Sequence, residues 1–199
     1  MSFDDIRAWD RRAVQRSVEL VDTVTAADLT RPTPCGDWTL ADLIGHLTAQ
    51  HRGFAAAARG NGSDLANWAV ATGPDLVDRY RDAASDVVAA FAAVADPDAP
   101  FALPEITSRV SFPARQAIGF HLIDYVVHSW DVARSLDVPD GLEEDLVRAA
   151  LPIAVAVPDG PERLRPGASF APGLDLGPKV STLDEILLRL GRSPAWPLA

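Results

Sequence analysis

Asp124 and His128 stand four residues apart in the run His121-Leu-Ile-Asp124-Tyr-Val-Val-His128-Ser-Trp-Asp131. On an α-helix that spacing stacks the two side chains one turn apart, about 6 Å along the axis, so a carboxylate and an imidazole can close on one ion. A two-ligand clip needs a third donor from elsewhere. His46, on the apolar side of a second helical pattern that begins at Thr39, is of the right type. Two imidazoles and a carboxylate suit zinc with an open fourth position, and the same set accepts nickel, iron or manganese. His121 precedes His128 by seven residues, about 10 Å along a helix, and so is expected outside the ligand set, behind it or lining the pocket, while Asp131 is expected to cap or brace the neighbouring loop. The competing reading is a buried hydrogen-bonded cluster in which Asp124 pairs with His121 or His46. His51, beside Arg52, reads as solvent-facing, and Cys35 as a structural thiol packed in a loop.

Four helical patterns are long enough to carry these residues. Ile6, Trp9, Ala13, Val14, Val18 and Val21 recur at spacings of three and four, predicting a first helix from Phe3 to about Val24. Two prolines and a glycine in Leu29-Thr-Arg-Pro-Thr-Pro-Cys-Gly-Asp37 break it. Thr39 with Asp42 forms a capping box for the second helix, whose stripe is Leu40, Leu43, Ile44, Leu47 and Phe54, with His46 on the same face. Gly73-Pro74 should open a third helix, and Pro113 a long amphipathic fourth that ends before Pro139. The irregular stretch from Phe101 to Phe112 reads as a loop over a site, with a short extended piece at Ile106 to Val110. Asp140 and Glu143 suggest a capped fifth helix that Pro152 kinks or ends. The Pro/Gly-rich segment from Pro158 to Pro178 should run extended over the surface, and Ser181 caps a last helix that Gly191 stops. The expected fold is all-α: a four-helix bundle over residues 1–157, with residues 158–199 packed on it as a segment and short helix.

Composition narrows the function classes. An apolar content of 48% in 199 residues supports one well-buried core. A net charge of −10, with Lys179 the sole lysine, argues against nucleic acid and anionic membranes as partners. The single cysteine and an acidic N-terminus without a signal-like run point to the cytoplasm. Glycine-rich phosphate loops and G-x-S-x-G are absent from the sequence, so nucleotide and serine-hydrolase chemistry have no support; the expected partner is a small molecule, and the chain is expected to pair as a homodimer.

Thr33-Pro-Cys-Gly-Asp-Trp38, Leu43-Ile-Gly-His46-Leu47, the run from His121 to Arg134 and the closing Ser181-Thr-Leu-Asp-Glu-Ile-Leu-Leu-Arg-Leu-Gly-Arg-Ser-Pro-Ala-Trp196 resemble the DinB-like metal-binding proteins. The resemblance is to the branch related to the N-terminal domain of mycothiol-dependent maleylpyruvate isomerase, and the closing motif looks like the tail of its actinobacterial members. It implies a four-helix bundle with a divalent metal at His46, Asp124 and His128, and chemistry in which zinc holds a low-molecular-weight thiol such as mycothiol as thiolate. His121, Tyr125 or Asp131 would then bind substrate or move a proton. Asp124 departs from the glutamate common in the isomerase. The isomerase also carries a C-terminal domain of which this chain is expected to keep only a tail, so its isomerisation is not carried over. Metal-assisted hydrolysis and a non-enzymatic metal- or ligand-binding bundle are the alternatives.

Overall fold

The computed structural model describes residues 1–165 and 168–197; Pro166 and Gly167, within the segment expected to be extended, lie outside the described residues. Its helices are α1 (Phe3–Val21), α2 (Leu40–Ala58), α3 (Leu76–Ala93), α4 (Ala114–Leu136), α5 (Glu144–Ala156) and α6 (Thr182–Arg189), with short 3-10 turns at Leu65–Trp68 and Pro161–Leu164. None of the described helices is long and apolar enough to cross a membrane. α1 packs most extensively on α4 and α2 on α3, giving a bundle of four helices, while α5 and α6 pair on its outside.

Local chemistry sets most boundaries. Ser2 and Thr39 each close a capping box, with Asp5 and Asp42, which satisfies N-terminal amides that the helix leaves unpaired. Ser181 caps α6 by accepting from the amide of Asp184. Four sequence expectations are corrected. α3 begins at Leu76 after an uncapped Asp75, not at Gly73-Pro74. α5 starts at Glu144 without a side-chain cap, because Asp140 instead accepts from the amide of Leu142, and the helix runs through Pro152 to Ala156. The extended pieces are β1 (Pro100–Ala102) and β2 (Ser111–Pro113), antiparallel with Phe101 opposite Phe112, and residues 106–110 form the connection between them. α4 is not amphipathic in its setting: Leu122, Ile123, Tyr125, Val126, Val127, Trp130 and Val132 face in all directions around the helix and are all buried, because α1, α2 and α5 surround it.

The core is continuous through the C-terminal segment, since Ile186, Leu187 and Leu190 are buried in the same cluster as Leu43, Leu122 and Val126. Beside α2, the backbone of Ala71 donates to the carbonyl of Gly45 at 3.2 Å, so the 69–71 segment lies flat on the helix next to His46. Gly45 allows this approach, since a Cβ there would run into the Ala71 carbonyl oxygen and crowd Val70.

A second polar group lies within the apolar core. Nδ1 of His121 faces Asp10 Oδ1 at 2.6 Å, and its Nε2 faces His51 Nδ1 at 3.2 Å. The His51 ring stacks on Tyr125 at 4.1 Å between centroids and 9° between planes, and Tyr125 donates its hydroxyl to the Leu47 carbonyl at 2.6 Å. His51 is fully buried, against its expected exposure, because α3 packs across the face of α2 that carries it. With the Nδ1 proton of His121 directed to Asp10, Nε2 of His121 accepts from His51, and Nε2 of His51 is left without a partner. Burial pushes the pKa of His51 well below its ordinary value and pushes Asp10 up.

Two outcomes follow. Gly45→Ala gains about 1 kcal/mol of helix propensity but forces a backbone carbonyl aside, a cost of roughly 1–3 kcal/mol with no rotamer to relieve it, so urea denaturation should show net destabilisation; a net gain would contradict the close approach. The folded chain keeps His51 neutral while the unfolded chain protonates it near its ordinary value of 6.5. Wild type therefore loses up to about 1.4 kcal/mol per pH unit through this group as pH falls below that value. His51→Gln should be less stable than wild type at about pH 7.5, with the gap narrowing by about pH 5.5. A gap independent of pH would mean that His51 titrates normally in the folded chain.

Candidate metal centre

The Thr39 cap fixes where α2 begins and so sets His46 two turns into the helix, facing α4. The loop before it is stapled: Thr33 Oγ1 donates to the Trp38 carbonyl at 2.9 Å and accepts from the amide of Cys35 at 3.1 Å. Gly36 takes φ +67° at the turn, a left-handed conformation that glycine adopts at little cost. The loop thereby presents Trp38 to one side, its ring 5.0 Å from that of His46, and Cys35 to the other.

One donor atom from each of His46, Asp124 and His128 lies within 4.8 Å of the other two. Nε2 of His128 faces Asp124 Oδ1 at 3.4 Å, and the rings of His46 and His128 are 5.5 Å apart, nearly perpendicular. The Asp124 side chain is 21% exposed and that of His128 6%, so the cluster opens to solvent on the Asp124 side.

The other nitrogen of His128 meets a different set of groups. Nδ1 donates to Asp131 Oδ2 at 2.8 Å, one turn along α4. The same oxygen accepts from the Cys35 thiol at 3.1 Å and from Arg192 Nη2 at 3.3 Å. Cys35 Sγ is 3.9 Å from His128 Nδ1 and 3.6 Å from Arg192 Nη2. Asp131 Oδ1 and Arg192 Nε are buried without partners.

Charge and burial act in opposite directions here. Burial disfavours the cation on His46, and the positive charge of His128 adds to this, pushing its pKa down to about 4. Burial also opposes ionisation of Asp124, but the facing His128 outweighs it and holds the carboxyl down at about 2. For His128, burial is overcome by Asp124, Asp131 and Cys35, so its pKa rises well above the ordinary value. Asp131 is likewise buried, yet Arg192 and His128 keep it low. Near neutral pH the cluster therefore offers an imidazole lone pair at His46 and an ionised carboxylate at Asp124, while His128 must release its Nε2 proton as an ion binds.

The structure brings together His46, Asp124 and His128, and joins Asp131 to them through a bond to His128. Asp124 pairs with His128, and neither His121 nor His46 takes that place. His121 and Tyr125 do not line an opening, since both are fully buried in the Asp10 and His51 cluster. Cys35 is more than loop packing, because its thiol reaches Asp131 beside His128. The sequence reading gave no role to Arg192 or to the Trp38–His46 contact. Asp131, three residues after His128, carried a legible signal for its bond, whereas Arg192 lies 61 positions from Asp131 and carried none.

Known proteins resemble the chain in sequence and in fold. The chain is 29% identical over 189 residues to Uncharacterized protein Rv0738 of Mycobacterium tuberculosis, covering 92% of this chain and 95% of that one; a protein from a second strain of the species matches equally. The crystal structure of the mycothiol-dependent maleylpyruvate isomerase superposes with a TM-score of 0.64 at 13% identity, over 97% of this chain and 90% of that chain. A mutant of the same enzyme gives 0.62 over 88% and 82%. The likeness in fold thus spans nearly the whole of both chains. Residues 11–133, more than half of the sequence and including His46, Asp124, His128 and Asp131, match the model of the mycothiol maleylpyruvate isomerase N-terminal domain, and the chain belongs to that family.

Proposed function

We propose that this chain is a divalent-metal-dependent enzyme of the thiol-dependent transferase or isomerase type, with His46, Asp124 and His128 as ligands and zinc as the first candidate metal. The observation that carries this reading is the convergence of one donor atom from each of the three residues within 4.8 Å, from two different helices, at a place open to solvent. Membership of a family described by a mycothiol-dependent isomerase supports a thiol of the mycothiol class as the co-substrate.

Each residue contributes through its own state. His46, held neutral by burial, presents a lone pair, and Trp38 packs against its ring and limits its rotation. Asp124, ionised and partly exposed, sits between the histidines and the solvent opening. Asp131 binds Nδ1 of His128 and orients the ring so that Nε2 points toward Asp124. When bound, a zinc-class ion supplies a Lewis acid that lowers the pKa of a coordinating thiol. A carboxylate one methylene shorter than glutamate brings the α4 backbone closer to any ion it holds, which bears on metal choice. The reading places the enzyme in the cytoplasm with small-molecule partners, in keeping with a single reduced cysteine.

The test is elemental analysis of protein purified without tag or chelator, paired with activity screens on electrophilic substrates with and without added thiol. Wild type should carry close to one divalent ion per chain, His46→Ala and His128→Ala should carry almost none while keeping helical circular dichroism, and turnover should require both metal and thiol. Retention of full metal by the folded His128→Ala protein would overturn the ligand set, and metal-dependent turnover without thiol would replace transfer with hydrolysis.

A further inference from the structure

His128 belongs to two donor sets, one on each ring nitrogen. Besides His46, Asp124 and His128, donor atoms of Cys35, His128 and Asp131 also lie within 4.8 Å of one another. A thiol, an imidazole and a carboxylate bind zinc at least as well as two imidazoles and a carboxylate, because sulfur is a strong ligand for the softer divalent ions. Donor type alone would therefore send an ion to either side of the ring.

The two sets differ in whether a cation is already present. Arg192 places Nη2 at 3.3 Å from Asp131 Oδ2 and 3.6 Å from Cys35 Sγ, with its side chain nine-tenths buried. A guanidinium keeps its proton throughout the range in which proteins fold. An ion bound to Sγ, Nδ1 and Oδ2 at about 2.0–2.3 Å from each would stand close against that charge, in surroundings where little water screens the repulsion. No arginine or lysine pairs with His46 or Asp124 among the described hydrogen bonds and ion pairs; the cation facing Asp124 is His128 itself, whose Nε2 proton can leave as an ion binds.

Nor is Arg192 free to swing away. It follows Gly191, whose φ of +75° turns the chain at the end of α6, and its amide donates to the Leu187 carbonyl at 2.8 Å. Leu187 and Leu190, just before this turn, are fully buried. The position is fixed by core packing of a segment that lies beyond residues 11–133, the part matched to the family.

Resting on the metal reading above, we propose that Arg192 is the specificity-determining residue of the centre: its guanidinium fills the Cys35–His128–Asp131 set as a built-in cation and directs a divalent ion to His46, Asp124 and Nε2 of His128. Cys35 is thereby kept as a hydrogen-bonded thiol rather than a ligand. The C-terminal segment, by supplying Arg192, chooses which face of the imidazole is used.

Cobalt(II) titration followed by absorption spectroscopy tests this without any assay of turnover. Wild type should show visible ligand-field bands and no thiolate-to-cobalt charge transfer, with a spectrum unchanged by Cys35→Ser. Arg192→Met, and equally the neutral Arg192→Gln, should gain a near-ultraviolet thiolate band that disappears when Cys35→Ser is added, and Arg192→Lys should suppress it by restoring a cation. A thiolate band in wild type, or folded neutral variants with the wild-type spectrum, would overturn the proposal. Failure of the metal reading looks different: wild type would then take up no cobalt. Uptake with a thiolate band by the neutral variants alone would still support the guarding role, and uptake by none of the proteins would overturn both.

Discussion

An imidazole ring carries two nitrogens that point away from each other, and in this chain those of His128 meet two differently charged surroundings. Nδ1 is bound to a carboxylate that also holds a thiol and a guanidinium, whereas Nε2 faces a second carboxylate and a neutral histidine at a solvent opening. A ring held from one side has its other side aimed, and this requires every partner to stay in place. Asp131 and Asp124 are fixed by their positions on α4, His46 by the Thr39 cap, Cys35 by the turn at Gly36, and Arg192 by the buried end of α6. Elements far apart in sequence thus converge on one side chain.

The bundle makes this feasible by burying α4 on nearly all sides. A helix surrounded by apolar neighbours excludes water from around its polar side chains, so an unpaired carboxylate there would be costly and each must find a partner. The Asp10, His121 and His51 group obeys the same rule without an opening to solvent. Its residues cross-link α1, α4 and α2 by hydrogen bonds in directions that apolar packing alone would not specify. The two clusters share helices α2 and α4 yet differ in access, and access separates a candidate centre for chemistry from a polar tie within the core.

Much of this arrangement was legible in the sequence. The spacing of Asp124 and His128, the capping box that starts α2 and the apolar stripe beneath His46 were enough to bring those residues together, and the bundle followed from helix periodicity. Residues whose surroundings come from distant elements were less legible. His51 looked exposed beside Arg52 because local sequence does not reveal that α3 crosses its face, and His121 looked like a pocket residue because its partner Asp10 lies on α1. Pro152 interrupts a ladder in principle, yet α5 tolerates it and continues to Ala156. Arg192 carried no local signal at all, since its meaning depends on a contact with Asp131 that only the folded chain creates.

The most direct measurement is anomalous diffraction at the zinc edge from crystals of the zinc-loaded chain. One anomalous peak among His46 Nε2 or Nδ1, Asp124 and His128 Nε2, with Arg192 still against Asp131 and no sulfur in the coordination shell, is the predicted result. A peak seated on Cys35 and Asp131, or none at this cluster in protein shown to be folded, would contradict the assignment of His128 as a ligand aimed by Asp131 and guarded by Arg192.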